Sequence, residues 1–360
     1  RTAMTSRFGM AVAGSLLLGW LGLAGAKFPE TGSGSLLVTR DDSGNEHRIE
    51  TTKQWEARRK QILQGMEKIM GPLPTPAEKG DLAIRMGPAS DAGRYLRKKI
   101  SYESEKGERV PAWLLVPRSP TGKKPAMLCL HQTVPIGKDE PAGLGGKKSL
   151  HYAHHLAERG YVCLVPDYPS FGEYPCDFTN NRYASGSMKA IWNNIRGVDL
   201  LCSLEEVDAK RIGVIGHSLG GHNAMFTAAF EPRIQAIVSS CGFTSFPRYY
   251  GGNLKGWTSA RYMPRIEAVY GGKPEKLPVD FPEIVASFAP RAFLACAPVK
   301  DDNFEVLGVK ECLARAREVY KLFGQEDRLQ ALYPDCQHDF PAPVRQEAYA
   351  FLDRWLKPRP

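Results

Sequence analysis

Residues 211–224 read RIGVIGHSLGGHNA, and few folds can use that order. An apolar run of strand character ends in Gly216-His217-Ser218-Leu219-Gly220, and a helical stretch begins at once. G-x-S-x-G between a strand and a helix makes a very tight turn. The serine sits at its apex in strained backbone, and the glycines keep side chains out of the crowded corner. Such a turn lifts the hydroxyl above the C-terminal edge of a sheet. It also sets the hydroxyl at a helix N-terminus, where amide groups and the dipole favour an anion. The bland reading, a Ser/Gly loop, does not account for the strand before it, the helix after it and the further small residue Gly221.

The rest of the chain supplies the sheet. Residues 94–104 and 110–117 read as a hairpin around Glu105-Lys106-Gly107-Glu108. Apolar runs at 126–131, 161–173 (with its exit loop), 211–216, 236–242, 292–298 and 329–334 read as strands. Helical segments near 150–159, 187–206, after Ser218, 308–323 and 343–356 alternate with them. This order predicts an α/β fold, a mostly parallel central sheet with helices on both faces, made mixed by the leading hairpin. From Thr52 onward, Trp55, Ile62, Leu63, Met66, Ile69 and Met70 recur at helical steps until Gly71-Pro72 stops them. That segment reads as a helix packed on the main domain. Residues 242–288 interrupt the pattern and read as a short insertion over the reactive edge of the sheet.

The N-terminus has the character of an export signal. Arg1 and Arg7 precede an uncharged run from Met10 to Ala26 that ends Ala24-Gly25-Ala26. It is too short and too rich in Gly and Ala for a comfortable membrane span, although an uncleaved anchor is the alternative. The expected organisation is a signal peptide over 1–26, a linker and helical extension over 27–93 and the catalytic domain over 94–360. The expected location is periplasmic or extracellular, with no stable membrane insertion after cleavage. The formal charge is +9, and loss of Arg1 and Arg7 leaves +7. The basic residues are scattered without interleaved aromatics, which argues against nucleic acid. Of eight cysteines, Cys129, Cys163 and Cys296 lie in strand-like runs and Cys202 and Cys312 in helical ones. Cys176, Cys241 and Cys336 lie nearer loops, where one disulfide is allowed. No C-x-x-C supports a metal or redox site. His151, His154 and His155 sit at helical spacing, but no carboxylate or cysteine pattern completes a metal site. No metal and no cofactor is expected.

A serine hydroxyl needs a base and an acid that orients the base, and in this kind of sheet both follow later, acid first. Downstream of Ser218 only His222 and His338 exist. His222 lies in the first helical turn, too close to swing back, so His338 in the loop after strand 329–334 is the expected base. The acid should leave the strand at 292–298. Asp301 leaves it first and is preferred, with Asp302 the competitor. The oxyanion hole takes the Leu219 amide and a second N–H from the loop after 126–131, at Gln132 or Thr133. In the insertion, Tyr249, Tyr250 and Trp257 are candidates to stack on a sugar or aromatic acyl group, and Arg261 to pair with a carboxylate. The alternative is that these rings pack the insertion to the domain.

With GHSLGG at 216–221, LHQT at 130–133, PDYPSFGE at 166–173, VDAKRIGV at 207–214 and the late Asp…His order, the chain resembles the α/β-hydrolase superfamily over residues 95–356. Within it the chain is similar to dienelactone-hydrolase-like and acetyl-xylan-esterase-like exported hydrolases, and to the catalytic domain of prolyl oligopeptidases. Gln132 stands where many relatives have glycine, and Ser218 stands where dienelactone hydrolases use cysteine. The resemblance implies a secreted serine esterase that works through an acyl-enzyme. The expected substrate is a small-molecule or polysaccharide ester, with acetyl or other small acyl groups on carbohydrate first. A peptidase of the same chemistry and a noncatalytic binding module are the rival readings.

Overall fold

The computed structural model describes residues 34–40, 45–118 and 122–357. The signal-peptide segment at 1–26 lies outside the described residues. None of the described helices is long and apolar enough to cross a membrane.

Within the stretch read as a linker, β1 (Val38–Arg40) and β2 (Glu46–Arg48) instead form an antiparallel hairpin. Buried Leu36 and Ile49 anchor its two ends, an apolar signal too short to show periodicity. Helix α1 (Thr52–Met70) follows, opened by a capping box in which Thr51 and Gln54 satisfy each other's backbone N–H groups. Its Trp55, Ile62, Met66, Ile69 and Met70 are buried. Arg59 donates to the carbonyls of Ala229 and Ser287, at 2.7 and 2.9 Å, and so ties the helix to the main domain.

Among the described residues the central sheet has nine strands. They are β3 (Arg85–Asp91), β4 (Tyr95–Glu105), β5 (Glu108–Pro117), β6 (Lys124–Leu130), β7 (Val162–Pro166), β8 (Val207–His217), β9 (Ile234–Ser240), β10 (Ala292–Cys296) and β11 (Leu329–Leu332). Their spatial order is β11-β10-β9-β8-β6-β7-β5-β4-β3. The six strands from β6 to β11 are parallel, and β3, β4 and β5 join antiparallel. Sequence reading missed β3, because it is a fully exposed edge strand carrying Gly87 and Pro88 and has no buried face to mark it.

Alternation along each strand sorts the core into two layers. Ala126, Leu128 and Leu130 of β6 face one side with α1, α3 (Gly186–Ser203), α4 (Leu219–Phe230), α5 (Arg265–Ala268), α6 (Phe281–Ala286) and α7 (Val306–Leu322). Met127 and Cys129 face the other side with α2 (Tyr152–Glu158) and α8 (Ala342–Leu356). Chain order reverses between β6 and β8, so the loops after these two strands diverge and leave a crevice at the C-terminal edge. That crevice is where open parallel sheets bind ligands.

Trp55 is fully buried at the seam between α1 and the sheet domain. Trp55→Ala is expected to lower unfolding free energy by about 3–5 kcal/mol, read from urea titrations of the two proteins.

Candidate active site

The turn after β8 has the geometry its glycines imply. Ser218 holds φ 54° and ψ −118°, a region that costs a non-glycine residue strain energy. A Cβ on Gly216 would lie 2.1 Å from the Gly220 carbonyl oxygen, and one on Gly220 would lie 1.9 Å from that of Leu130. The strained residue is held by its amide donating to Ser240 O at 2.8 Å and by its carbonyl accepting from Gly221 N at 2.8 Å. Leu219 opens α4, and amides of a first helical turn have no intrahelical partner.

Two further loops converge on the elbow. His338 follows β11, and its Nδ1 lies 2.9 and 3.0 Å from the two carboxylate oxygens of Asp301, which follows β10. The Asp301 side chain is 1% exposed, and its Oδ1 also accepts from the amides of Asn303 and Phe304 at 2.9 and 3.1 Å. Asp302 is exposed to solvent. The His338 ring meets His217, the residue before the serine, edge-on at 4.9 Å between centroids. The carboxylate pair holds Nδ1, so Nε2 is the atom left for proton transfer. The Ser218 hydroxyl closes no hydrogen bond among the described residues, as is common before substrate tightens a site.

Cys241 adds a thiol within 4.8 Å of the Asp301 and His338 ligand atoms. Its Sγ donates to Asp339 O at 3.5 Å. Burial and the neighbouring Asp301 charge push this thiol well above its ordinary pKa, so it stays neutral beside the pair. All eight cysteines are free, including Cys176, Cys241 and Cys336.

On the opposite wall, the loop after β6 is stiffened from behind. The Tyr168 amide donates to His131 Nε2 at 2.9 Å, which puts the ring proton on Nδ1, 2.6 Å from Gln132 O. The buried Asp167 carboxylate takes both the amide and the ammonium of Lys138, each at 2.8 Å. Gln132 turns its side chain to Glu140, at 2.9 Å, whereas Thr133 lies across from Ser218 with its hydroxyl 3.2 Å from that of Tyr262.

A cleft of about 80 Å³ contains Ser218 and Leu219. Thr133, Tyr249, Trp257 and Tyr262 also line it, with His222, Asn303 and Phe304. Of the insertion candidates, Tyr249 and Trp257 thus line the cleft with the serine, although both are buried and pack on neighbouring rings. Tyr250 does not: it is exposed, with its hydroxyl 3.2 Å from Asn303. Arg261 is likewise outside the lining, its guanidinium bonded to Ser170 and 4.6 Å over the Phe171 ring. Phe243 and Phe246 are buried against Phe281 and serve packing, the alternative weighed for the insertion's rings. A larger groove of about 820 Å³ lies between the N-terminal hairpin and α7, away from the elbow. His151, His154 and His155 are half-buried, and their rings are engaged by Gly145 O, Tyr95 and Tyr349. Sequence reading missed His222 as a cleft residue, having weighed it only as a base. Its position one helical turn past Ser218 is the signal that places it on the cleft side of α4.

A family model described as glucuronyl esterase of fungi matches residues 177–324, which span the elbow, the insertion and the Asp301 loop. The Bacillus subtilis protein YtaP, whose description goes no further than hydrolase, is 24% identical over 311 residues, 83% of this chain and 99% of its own. A glucuronoyl esterase from Solibacter usitatus superposes with a TM-score of 0.71 at 18% identity, covering 91% of this chain and 98% of that one. Acetyl xylan esterase 1 from Thermoanaerobacterium sp. JW/SL YS485 does so with a TM-score of 0.54 at 15% identity, covering 81% and 92%. These structures share the fold.

Burial drives the His222 imidazole down to about 3, from about 6.5 in an unfolded chain. On acidification the unfolded chain therefore takes up this proton first. The stability that neutral His222 contributes is complete above pH about 6.5 and declines as pH falls toward 3. His222→Leu is expected to shrink the loss of urea midpoint between pH 7 and about pH 4.5.

Proposed function

We propose that this chain, an α/β hydrolase, is a carboxylic-ester hydrolase acting on esters of carbohydrates through a serine nucleophile. The observation that carries the reading is the bidentate contact of Asp301 with His338 Nδ1, beside a strained serine at a helix N-terminus. Ser218 Oγ attacks the ester carbonyl while His338 Nε2 takes its proton. Asp301 holds the ring orientation and stabilises the imidazolium that forms. The oxyanion is received by the Leu219 amide and by an amide of the 132–133 loop, with Thr133 facing the cleft. The alcohol leaves with the proton from Nε2. Water then gives up a proton to the same nitrogen and attacks the acyl-enzyme, releasing the acid and restoring Ser218.

Substrate choice rests on the comparisons. The glucuronyl-esterase family model spans most of the residues that line the cleft, all but Thr133, which favours uronic-acid esters as the first substrate class to test. The acetyl esters inferred from the sequence are the second, supported by the acetyl xylan esterase among the structural neighbours. Export through the segment at 1–26 accords with a polymeric substrate outside the cell. A noncatalytic module does not account for a complete Ser218, His338 and Asp301 set.

Ser218→Ala is expected to reduce kcat on p-nitrophenyl acetate and on methyl glucuronate ester by about 10³-fold or more, and Asp301→Asn by about 10²–10⁴-fold. Asp302→Asn should stay within about twofold of wild type, since a solvated loop carboxylate contributes little. Steady-state rates of the purified variants check all three. Retention of activity by Ser218→Ala would falsify the serine mechanism.

A further inference from the structure

We propose that the buried Lys138–Asp167 ion pair positions the oxyanion hole, holding the amides of the 132–133 loop against the oxygen that becomes anionic when Ser218 attacks. The inference rests on the serine-esterase reading and adds two residues outside the cleft that act through the loop.

The loop after β6 has no helix or strand from residue 131 to 136 to hold it. It is fastened instead to the loop after β7, at three points. His131 Nε2 accepts from the Tyr168 amide at 2.9 Å, and Pro135 O accepts from the Gly172 amide at 3.1 Å. The Lys138 amide donates to Asp167 Oδ1 at 2.8 Å. Gln132 and Thr133 lie between the first two points. The third carries charge. Asp167 Oδ2 accepts from Lys138 Nζ at 2.8 Å and from the Glu173 amide at 3.0 Å. The same ammonium reaches Glu173 at 2.9 Å. The Lys138 and Asp167 side chains are 1% and 0% exposed. Gly137 and Gly172 hold φ of +53° and +57°, and a Cβ on either would come within 2.2 and 2.1 Å of Asp167 Oδ1. Both loops are therefore shaped around this carboxylate.

Stability alone does not explain a pair so placed. Two charges lose their hydration on burial, and apolar residues of the same volume often hold a fold together as well or better. Burial pulls the Lys138 pKa down, yet Asp167 and Glu173 more than offset it, so the pair stays ionised. What the ionised pair supplies is direction. A carboxylate takes a backbone amide from each loop along fixed lines, and the ammonium compensates its buried charge while it does so. An oxyanion hole needs such direction. Its amides must already point to where charge develops, and a misplacement of about 1 Å costs about 10²-fold in rate. Neither Lys138 nor Asp167 lines the cleft. The pair therefore acts on the transition state through the loop and leaves ground-state binding alone.

Lys138→Met, Asp167→Asn and the double variant Lys138→Met/Asp167→Leu test this on p-nitrophenyl acetate. Rates are expressed per active serine, counted by complete reaction with a fluorophosphonate, so a lower folded fraction does not register. In all three, kcat is expected to fall about ten- to a hundredfold while KM stays within about threefold. A trifluoromethyl ketone, which Ser218 converts to a tetrahedral oxyanion, should bind more weakly by the factor lost from kcat/KM. The double variant should regain the urea midpoint that the single variants lose, without regaining rate. Wild-type kcat per serine in a folded variant, or rate that returns with stability in the double variant, overturns the positioning role. Hydrogen exchange on wild type needs no variant to fold. Amides of 131–139 should exchange slowly in the free enzyme and slow by less than about twofold further with the ketone bound. Fast exchange that only the ketone suppresses means that the pair does not hold the loop, and also overturns the proposal. Ser218→Ala separates the two ideas. If it abolishes activity while the pair variants keep wild-type kcat, the positioning role fails and the esterase stands. If it leaves activity intact, the esterase reading itself fails.

Discussion

The site depends on one close approach between backbones. The Cα of Gly220 lies so near the Leu130 carbonyl that any side chain at 220 would overlap the end of β6. Packing α4 this tightly onto the crevice between β6 and β8 forces the chain to turn within one residue, and Ser218 takes the strained conformation that results. Strain of this kind costs about 1–3 kcal/mol and persists only where the surroundings over-determine it. Here the amide of Ser218 is fastened to β9 and its carbonyl to the first turn of α4. The same approach brings the loop after Leu130 alongside the serine, so Ser218 and the opposing amides are placed by a single packing event.

The other half of the site depends on two loops fastened to each other before either side chain is considered. Val299 and Lys300 donate their amides to the carbonyls of Pro334 and Cys336, at 3.0 and 3.2 Å. This pairing extends the parallel register of β10 and β11 past the sheet edge. It delivers Asp301 and His338 to each other with little freedom left in either backbone. Asp339 is held in turn by Ser149 and Cys241, from both sides of the sheet edge. The dyad is thus a property of strand order. Its members are 37 residues apart in sequence but hang from adjacent strands.

Legibility in the sequence followed how local each physical cause is. The elbow was readable because its requirement for glycine is met within five residues. Asp301 and His338 were readable because a parallel sheet puts the loops after successive strands on one edge. The choice between Asp301 and Asp302 was not a local matter. It depends on the amides of Asn303 and Phe304, which take the Asp301 carboxylate and leave Asp302 in solvent. Tyr250 and Arg261 were singled out by residue type, yet their side chains bond to Asn303 and Ser170 and neither residue lines the cleft. Strand β3 escaped notice because an edge with no buried face has no pattern. His222 was passed over because a histidine after an elbow was tested for one role only, that of base.

For the ester hydrolysis proposed above, the distribution of charge around the cleft favours release of the acid product. Every lining side chain is uncharged, and burial keeps His222 neutral far below physiological pH. A neutral ester therefore enters without facing a desolvated ion. The acid that leaves is an anion, and no lining cation holds it, while the Asp301 carboxylate lies just behind His338. A lysine or arginine at the position of His222 would reverse this balance by pairing with the product. An imidazole that stays neutral at neutral pH offers the departing acid no counter-ion.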